Sequence, residues 1–269
     1  MSEPLPLEIA EALSRIAGRL GSLGHPIRYF TEVTSTNDVA ARLADHGAPE
    51  GTAVIASAQT SGRGRLGRIW HSPPGAGLYV SIVFRNPRVA SMLTLAGGVA
   101  IAEGIRTATG LPVEIKWPND VVVRDDGSGR RRLKVAGVLA EASSGAEGLQ
   151  HIILGFGINV RSAPLPNELR GIATCIEREL GRPADPAAIL AETLASLNTL
   201  IQRLCAGDQE TVLTRWRALA PSALGSTVEW ERANARARGT TVGIDDEGAL
   251  LVRSGDSTER IVSGEVRWL

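Results

Sequence analysis

Residues 113–160 read VEIKWPNDVVVRDDGSGRRRLKVAGVLAEASSGAEGLQHIILGFGINV. Four runs in this stretch, at 113–116, 121–124, 133–142 and 151–160, are rich in β-branched and apolar residues and predict strands. The turn-rich links at 125–131 and 143–149 are shorter than the roughly dozen-residue crossover that parallel neighbours need, so the strands pair antiparallel. Upstream, 27–33, 52–58 and 78–84 predict further strands. Helices are predicted at 5–20, from the cap residues 34–37 to Asp45, at 89–109 before Gly110, and at 186–206 and 209–219. The fold class is α+β, a mixed or antiparallel sheet packed with helices. After Pro221 the pattern changes to short alternating runs at 227–231, 236–244, 249–253 and 260–267, which suggests a small β-barrel over 222–269 beside a larger domain over 1–221.

The chain has 269 residues, 43% hydrophobic and 22% charged, enough apolar content for a full core. Basic and acidic residues both total 29, so no global positive field is available to hold nucleic acid or anionic lipid. Cys175 and Cys205 lack metal-ligand spacing and are too few for a disulfide framework. Residues 1–7 lack the basic start and apolar run of an export signal, and no stretch approaches the ~18 apolar residues of a membrane span. The composition predicts a cytoplasmic protein with no membrane partner. The single helix at 5–20 is too little for a winged-helix DNA reader, so no DNA partner is predicted either.

Of the 29 basic residues 27 are arginine, and only Lys116 and Lys134 are lysine. A compact ammonium fits against one phosphate or carboxylate oxygen where a planar guanidinium does not. Two surviving surface lysines explain the count as readily, until their neighbours are considered.

The loop Gln59-Thr60-Ser61-Gly62-Arg63-Gly64-Arg65-Leu66-Gly67-Arg68-Ile69-Trp70 formally matches a dinucleotide fingerprint at Gly62, Gly64 and Gly67. The following Trp70-His71-Ser72-Pro73-Pro74-Gly75 forbids the helix that such a loop must open. Alternating arginines and glycines instead make a mobile backbone that approaches an anion closely, or a solvated basic loop. Lys116-Trp117-Pro118-Asn119-Asp120 places an ammonium, an indole and a carboxylate at a bend. Alone it is a β-turn with an Asx bond, and beside a nucleotide it is a phosphate and metal or ribose contact. Lys134 begins a strand whose Gly137 leaves room against the backbone, and Gly155-Phe156-Gly157-Ile158-Asn159 repeats that device. Ser35, Thr36 and Asn37 are helix caps or, equally, receivers of a polar ligand.

These five segments, in this order, resemble the biotin protein ligases (biotin–[acetyl-CoA carboxylase] ligases). The resemblance runs from 27 to 269, and the closing Ser263-Gly264-Glu265-Val266 is similar to the family's SH3-like C-terminal domain. It implies a class II synthetase-like catalytic domain over 1–221. It also implies a reaction in which biotin and ATP give biotinyl-5′-AMP and pyrophosphate, with transfer to a lysine of a biotin carboxyl carrier protein. No winged-helix pattern of the kind bifunctional members carry is read ahead of residue 27, so DNA binding is not expected from the resemblance. The close alternative is a lipoate–protein ligase, and a distant one a nucleotide- or RNA-binding module without catalysis. Both monomer and homodimer stay open.

By that matching, Lys134 is the catalytic cation bridging the biotin carboxylate and the α-phosphate, with Arg65 beside it. Ser35, Thr36, Gln59, Gly62, Arg63, Arg65, Lys134 and Gly137 would bind biotin. Arg65, Arg68, Trp70, Lys116, Asn119, Asp120 and Asn159 would bind ATP, with Trp70 near the adenine side and Asn159 reading the adenine. Asp120 would meet Mg²⁺ through the phosphates.

Overall fold

The computed structural model describes residues 2–123, 132–146, 148–232 and 235–269. Seven strands form one mixed sheet: β1 (Ile27–Val33), β2 (Ala53–Gln59), β3 (Gly77–Phe84), β4 (Val113–Lys116), β5 (Asp120–Val123), β6 (Lys134–Gly145) and β7 (Gly148–Asn159). Their order is β1-β2-β3-β7-β6-β5-β4. Among the described strands only β1 and β2 run parallel, joined through helix α3 (Thr36–Asp45), and every other neighbour is antiparallel.

Strand alternation sends successive side chains to opposite faces. Ile55, Val80, Ile82, Val138, Leu154 and Phe156 enter the main core, against the buried helix α4 (Leu93–Thr109), which packs on α6 (Pro186–Cys205) and α7 (Gln209–Leu219). Ahead of the sheet lie α1 (Leu7–Arg15) and α2 (Ala17–Leu20), and the short α5 (Ile176–Leu180) precedes α6. On α4, Gly110 takes the left-handed φ of 77° that a helix C-terminus uses. At the start of α6, Asp185 accepts from the Ala187 N–H with Pro186 in the first helical turn. The opposite sheet face packs on α3, with Ala40 and Ala44 of the helix against Val54, Val83 and Ile153 of the strands. On the same face Ser81 and Gly155 meet the first turn of α3, while Gly137 and Gly157 lie against the Trp70 ring.

A second sheet, antiparallel throughout, has the order β11-β10-β9-β8-β12, from β8 (Leu224–Arg232), β9 (Ala235–Ile244), β10 (Leu250–Ser254), β11 (Ser257–Ile261) and β12 (Val266–Trp268).

Four sequence expectations are corrected. The predicted helix at 5–20 is two, because Ile16 leaves helical geometry at φ −116° and ψ 16°. The helix predicted from Val89 begins at Leu93, since Asn86 caps a separate 3₁₀ turn over Pro87–Val89. The link at 143–149 is mostly strand: β6 and β7 pair out to Gly145 and Gly148, since ladder bonds need backbone and not apolar side chains. The run at 260–267 is two strands, interrupted where Gly264 turns at φ 113°. Residues 124–131, including the end of one predicted strand and the link at 125–131, lie outside the described residues.

Candidate active site

Gly137 of β6 and Gly157 of β7 are directly opposite in register, as are Ser81 of β3 and Gly155 of β7. A Cβ at Gly157 would lie 2.3 Å from Trp70 Nε1, and one at Gly155 would lie 2.0 Å from Asn37 Oδ1. Glycine is required at both positions because another group lies against the backbone. Gly137 and Gly157 thus form a side-chain-free floor with the Trp70 ring against both, and among the described residues its buried indole N–H has no hydrogen-bond partner.

The first turn of α3 walls one end of this floor. Ser35 holds the cap position, yet its hydroxyl makes no capping hydrogen bond. It is buried, as are Thr36 and Asn37. The Gln59 Oε1 accepts from the Thr36 N–H (2.8 Å) and hydroxyl (3.1 Å), while Gln59 Nε2 donates to Ser72 Oγ (2.8 Å). From below, Ser81 Oγ stands 2.8 Å from Thr36 Oγ1 and donates to Asn37 Oδ1 at 2.6 Å. Asn37 Nδ2 in turn donates to Glu141 of β6. A buried polar chain of this kind fixes rotamers and presents donors and acceptors in set directions.

The Gly-Arg loop folds back on itself rather than hanging free. Trp70 N–H donates to Gly62 O (2.8 Å) and Gly64 N–H to Arg68 O (2.7 Å), around a 3₁₀ turn at Arg65–Gly67. Gly62 serves that closure, since a Cβ there would meet Trp70 O at 2.5 Å. Leu66 sits at φ 56°, a strained setting for a residue with a side chain. The three arginines diverge. Arg63 reaches Asp38 and Glu141, each at 2.8 Å. Arg68 reaches Glu265 of the second sheet at 2.6 Å. Arg65 alone turns inward, with Nη1 3.4 Å from Asn119 Oδ1, and burial lowers its pKa against the opposing pull of Asp120. The three ion pairs of Arg63 and Arg68 are solvent-exposed and add little stability, so what they contribute is the placement of the loop.

Lys116 and Asp120 face each other across β4 and β5. Lys134 Nζ lies 2.6 Å from Asp120 Oδ1 and 5.0 Å from the Trp70 ring centroid. Burial lowers the Lys116 pKa; Asp120 raises it and Lys134 lowers it again. The turn between the strands is locked to β6, with Asn119 Nδ2 donating to Val138 O at 2.8 Å, and to the second sheet, with Trp117 Nε1 donating to Gly248 O at 3.0 Å.

Two adjoining clefts result. One is lined by Ser35, Thr36, Gln59, Gly137 and Gly157, and the other by Lys116, Asp120, Asn159, Arg68 and Glu265. Arg65, Trp70, Asn119 and Lys134 line both. The two scarce lysines therefore converge on one place. Trp70 stands at the junction of the two clefts. Gly62 lines neither cleft, while Asn159 lines the second and donates to Thr174 O at 3.0 Å. Sequence reasoning left out Ser81, Ser72, Glu141 and Glu265. Ser81 had a usable signal, as the one serine inside the largely apolar run of β3.

Among the described residues no group of three or more His, Cys, Asp or Glu side chains could hold a metal ion. No helix among them is long and apolar enough to cross a membrane.

The biotin/lipoate A/B protein ligase family matches residues 29–159, and the biotin protein ligase C-terminal domain matches residues 223–267. The Bacillus subtilis bifunctional ligase/repressor BirA is 31% identical over 266 residues, covering 97% of this chain and 79% of that protein. The Mycobacterium tuberculosis biotin–[acetyl-CoA-carboxylase] ligase is 31% identical over 272 residues, covering 97% and 95%. The structure of the Aquifex aeolicus biotin protein ligase in complex with biotin and ATP superposes with a TM-score of 0.76 at 28% identity, covering 90% of this chain and 99% of that one.

Proposed function

Because this chain belongs to the biotin protein ligases of the biotin/lipoate A/B protein ligase family, we propose that its two clefts hold the two reactants of biotin activation, biotin over the glycine floor and ATP along the lysine-lined side. The enzyme is a biotin–[acetyl-CoA-carboxylase] ligase that uses biotin and ATP as substrates. The single observation that carries the placement is that Lys134 and Arg65 line both clefts.

The chemical difficulty lies at that junction. The biotin carboxylate must approach an anionic α-phosphate, and like charges ~4 Å apart repel by roughly 4 kcal/mol at an effective dielectric of ~20. The Lys134 ammonium and the half-buried Arg65 guanidinium meet this charge at fixed positions. The carboxylate oxygen bonds to α-phosphorus, the bond to the bridging oxygen breaks, and pyrophosphate leaves. An amine of the acceptor then attacks the acyl carbon, AMP departs, and the amine gives up its proton.

The ureido end of biotin carries donors and acceptors that must all be met when buried. Ser35, Thr36 and Gln59 offer both kinds there, on rotamers held by Ser72 and Ser81. Gly137 lets the valeryl chain lie on the backbone, and Arg63 closes the loop above it. On the nucleotide side, Lys116 and Arg68 face the phosphates, Asn119 orients Arg65, Asn159 meets the adenine, and Trp70 packs between the two ligands.

Asp120 is a single carboxylate already beside an ammonium. It fits as one ligand to a Mg²⁺ carried in by the polyphosphate, since that ion keeps several waters and takes one or two carboxylates plus phosphates. A bound Mg²⁺ would supply charge neutralisation at the departing pyrophosphate. The acceptor is a lysine on the carrier protein of a cytoplasmic carboxylase. Residues 1–221 form the catalytic unit and 222–269 the C-terminal one. The test is exchange of labelled pyrophosphate into ATP: biotin supports it and lipoate does not, and exchange indifferent to biotin would refute the reading.

A further inference from the structure

Trp268 is the penultimate residue of the chain and lies on β12, far in sequence from the Lys116 turn. The Lys116 Nζ sits 5.1 Å from the Trp268 ring centroid. The ring is itself anchored. Trp268 pairs with Val228 in the β12–β8 ladder, Leu269 N–H donates to Thr227 O at 3.1 Å, and Trp268 Nε1 points at Ser222 O at 3.5 Å. Trp268 does not line the second cleft, whereas Lys116, Glu265 and Val266 do. The indole therefore touches the lysine from behind.

The two lysines of the site are held by different means. Lys134 is paired to a carboxylate at 2.6 Å, which partly neutralises it. Among the described residues Lys116 has no carboxylate within ion-pair distance, and its nearest charged influences, Asp120 and Glu265 in one direction and Lys134 and Arg132 in the other, act at longer range. A π face attracts a cation through its quadrupole and takes no charge away from it. An ammonium seated on indole keeps its full charge and leaves its N–H donors pointing elsewhere, whereas a carboxylate in that place would compete with any arriving anion.

From this juxtaposition we infer that Trp268 is a positioning residue for ATP binding: its ring seats the Lys116 ammonium at the wall of the second cleft, leaving the charge free for the polyphosphate. The inference rests on the reading of the second cleft as the ATP side. It gives the C-terminal sheet a defined part in substrate binding, through one ring and one cation. Docking of that sheet and affinity for nucleotide become linked, because a displaced ring releases the lysine into solvent-exposed rotamers.

The experiment is steady-state biotin-dependent ATP–pyrophosphate exchange on the full chain, comparing wild type, Trp268→Phe, Trp268→Leu, Lys116→Met and the Lys116→Met/Trp268→Leu pair. Leucine keeps apolar bulk without a π face, and phenylalanine keeps the ring. Trp268→Leu raises KM for ATP roughly tenfold. It leaves KM for biotin within about twofold, and Trp268→Phe recovers most of the loss. In the Lys116→Met background Trp268→Leu adds nothing. An unchanged KM for ATP in Trp268→Leu overturns the inference, as does a parallel rise in KM for biotin or a full effect persisting without the lysine. A wild type that exchanges independently of biotin overturns the ATP–biotin reading itself, whereas an active wild type with an indifferent Trp268→Leu overturns the inference alone.

Discussion

Lys134 Nζ stands 2.6 Å from Asp120 Oδ1, at the point where the two clefts meet. Both side chains are about a quarter exposed, with relative accessibilities of 26% and 28%, so the pair is weak enough to open. With the reactants placed as proposed, Asp120 would hold the ammonium between them and an incoming α-phosphate would take it over. An ammonium in this position serves the reacting groups and holds the fold together only slightly.

Arg65 is the one loop arginine that points inward, and its neighbour is the amide of Asn119 and not a carboxylate. Shortening it to glycine removes a cation from a largely desolvated site. Arg65→Gly is expected to release biotinyl-AMP roughly a hundredfold faster and to label bystander amines, as read by dissociation of the adenylate and by biotinylation of an unrelated protein. Unchanged retention would show that the loop closes without this charge.

The glycine floor predicts a size limit. Gly157→Ala places a methyl where Trp70 Nε1 stands, 2.3 Å away, and the indole must move. The fold is expected to lose roughly 1–3 kcal/mol, the usual cost of overpacking, biotin affinity is expected to fall, and a change in tryptophan fluorescence is expected before ligand is added. Titration calorimetry and emission spectra check both, and normal binding with an unshifted spectrum would mean that the floor is not in contact with ligand.

Much of this site was legible in the sequence because its parts are local. The pentapeptide 116–120 is a two-strand turn, and short-range spacing alone placed Lys116 against Asp120. The alternation in β6 and β7 likewise put Gly137, Gly155 and Gly157 on one face. Contacts that join distant segments left no local mark. Arg68 with Glu265, Trp117 with Gly248 and Lys116 with Trp268 each link residues more than a hundred positions apart, and nothing near either partner announces the other. In the Gly-Arg loop the backbone hydrogen bonds that close it on itself left no mark in the sequence, where its glycines read as freedom and serve close backbone approach as well. Helix ends were missed where a single residue such as Ile16 breaks geometry without a proline or glycine of its own.

Lys116 predicts a pH dependence. Its protonated form is the one that meets phosphate, and burial lowers its pKa. Raising the pH through that lowered value removes the charge, so kcat/KM for ATP falls at a more acidic point than an exposed lysine would give. In Lys116→Arg the guanidinium does not titrate in this range, so that limb disappears even where overall activity is lower. A limb that survives in Lys116→Arg belongs to another group.

The most direct measurement is biotin-dependent ATP–pyrophosphate exchange by Lys134→Arg, set beside calorimetric binding of biotin alone. The side chain has little room: the Cβ position of Gly137 lies 2.8 Å from Lys134 Cε and 2.9 Å from its Nζ, and Trp70 and Asp120 close the other sides. A planar guanidinium there keeps the charge but cannot reach the single point between carboxylate and α-phosphate. The variant is expected to bind biotin within a few-fold of wild type while exchange falls by roughly a thousandfold. Near-normal exchange by Lys134→Arg would contradict the placement of the reacting groups between the two clefts.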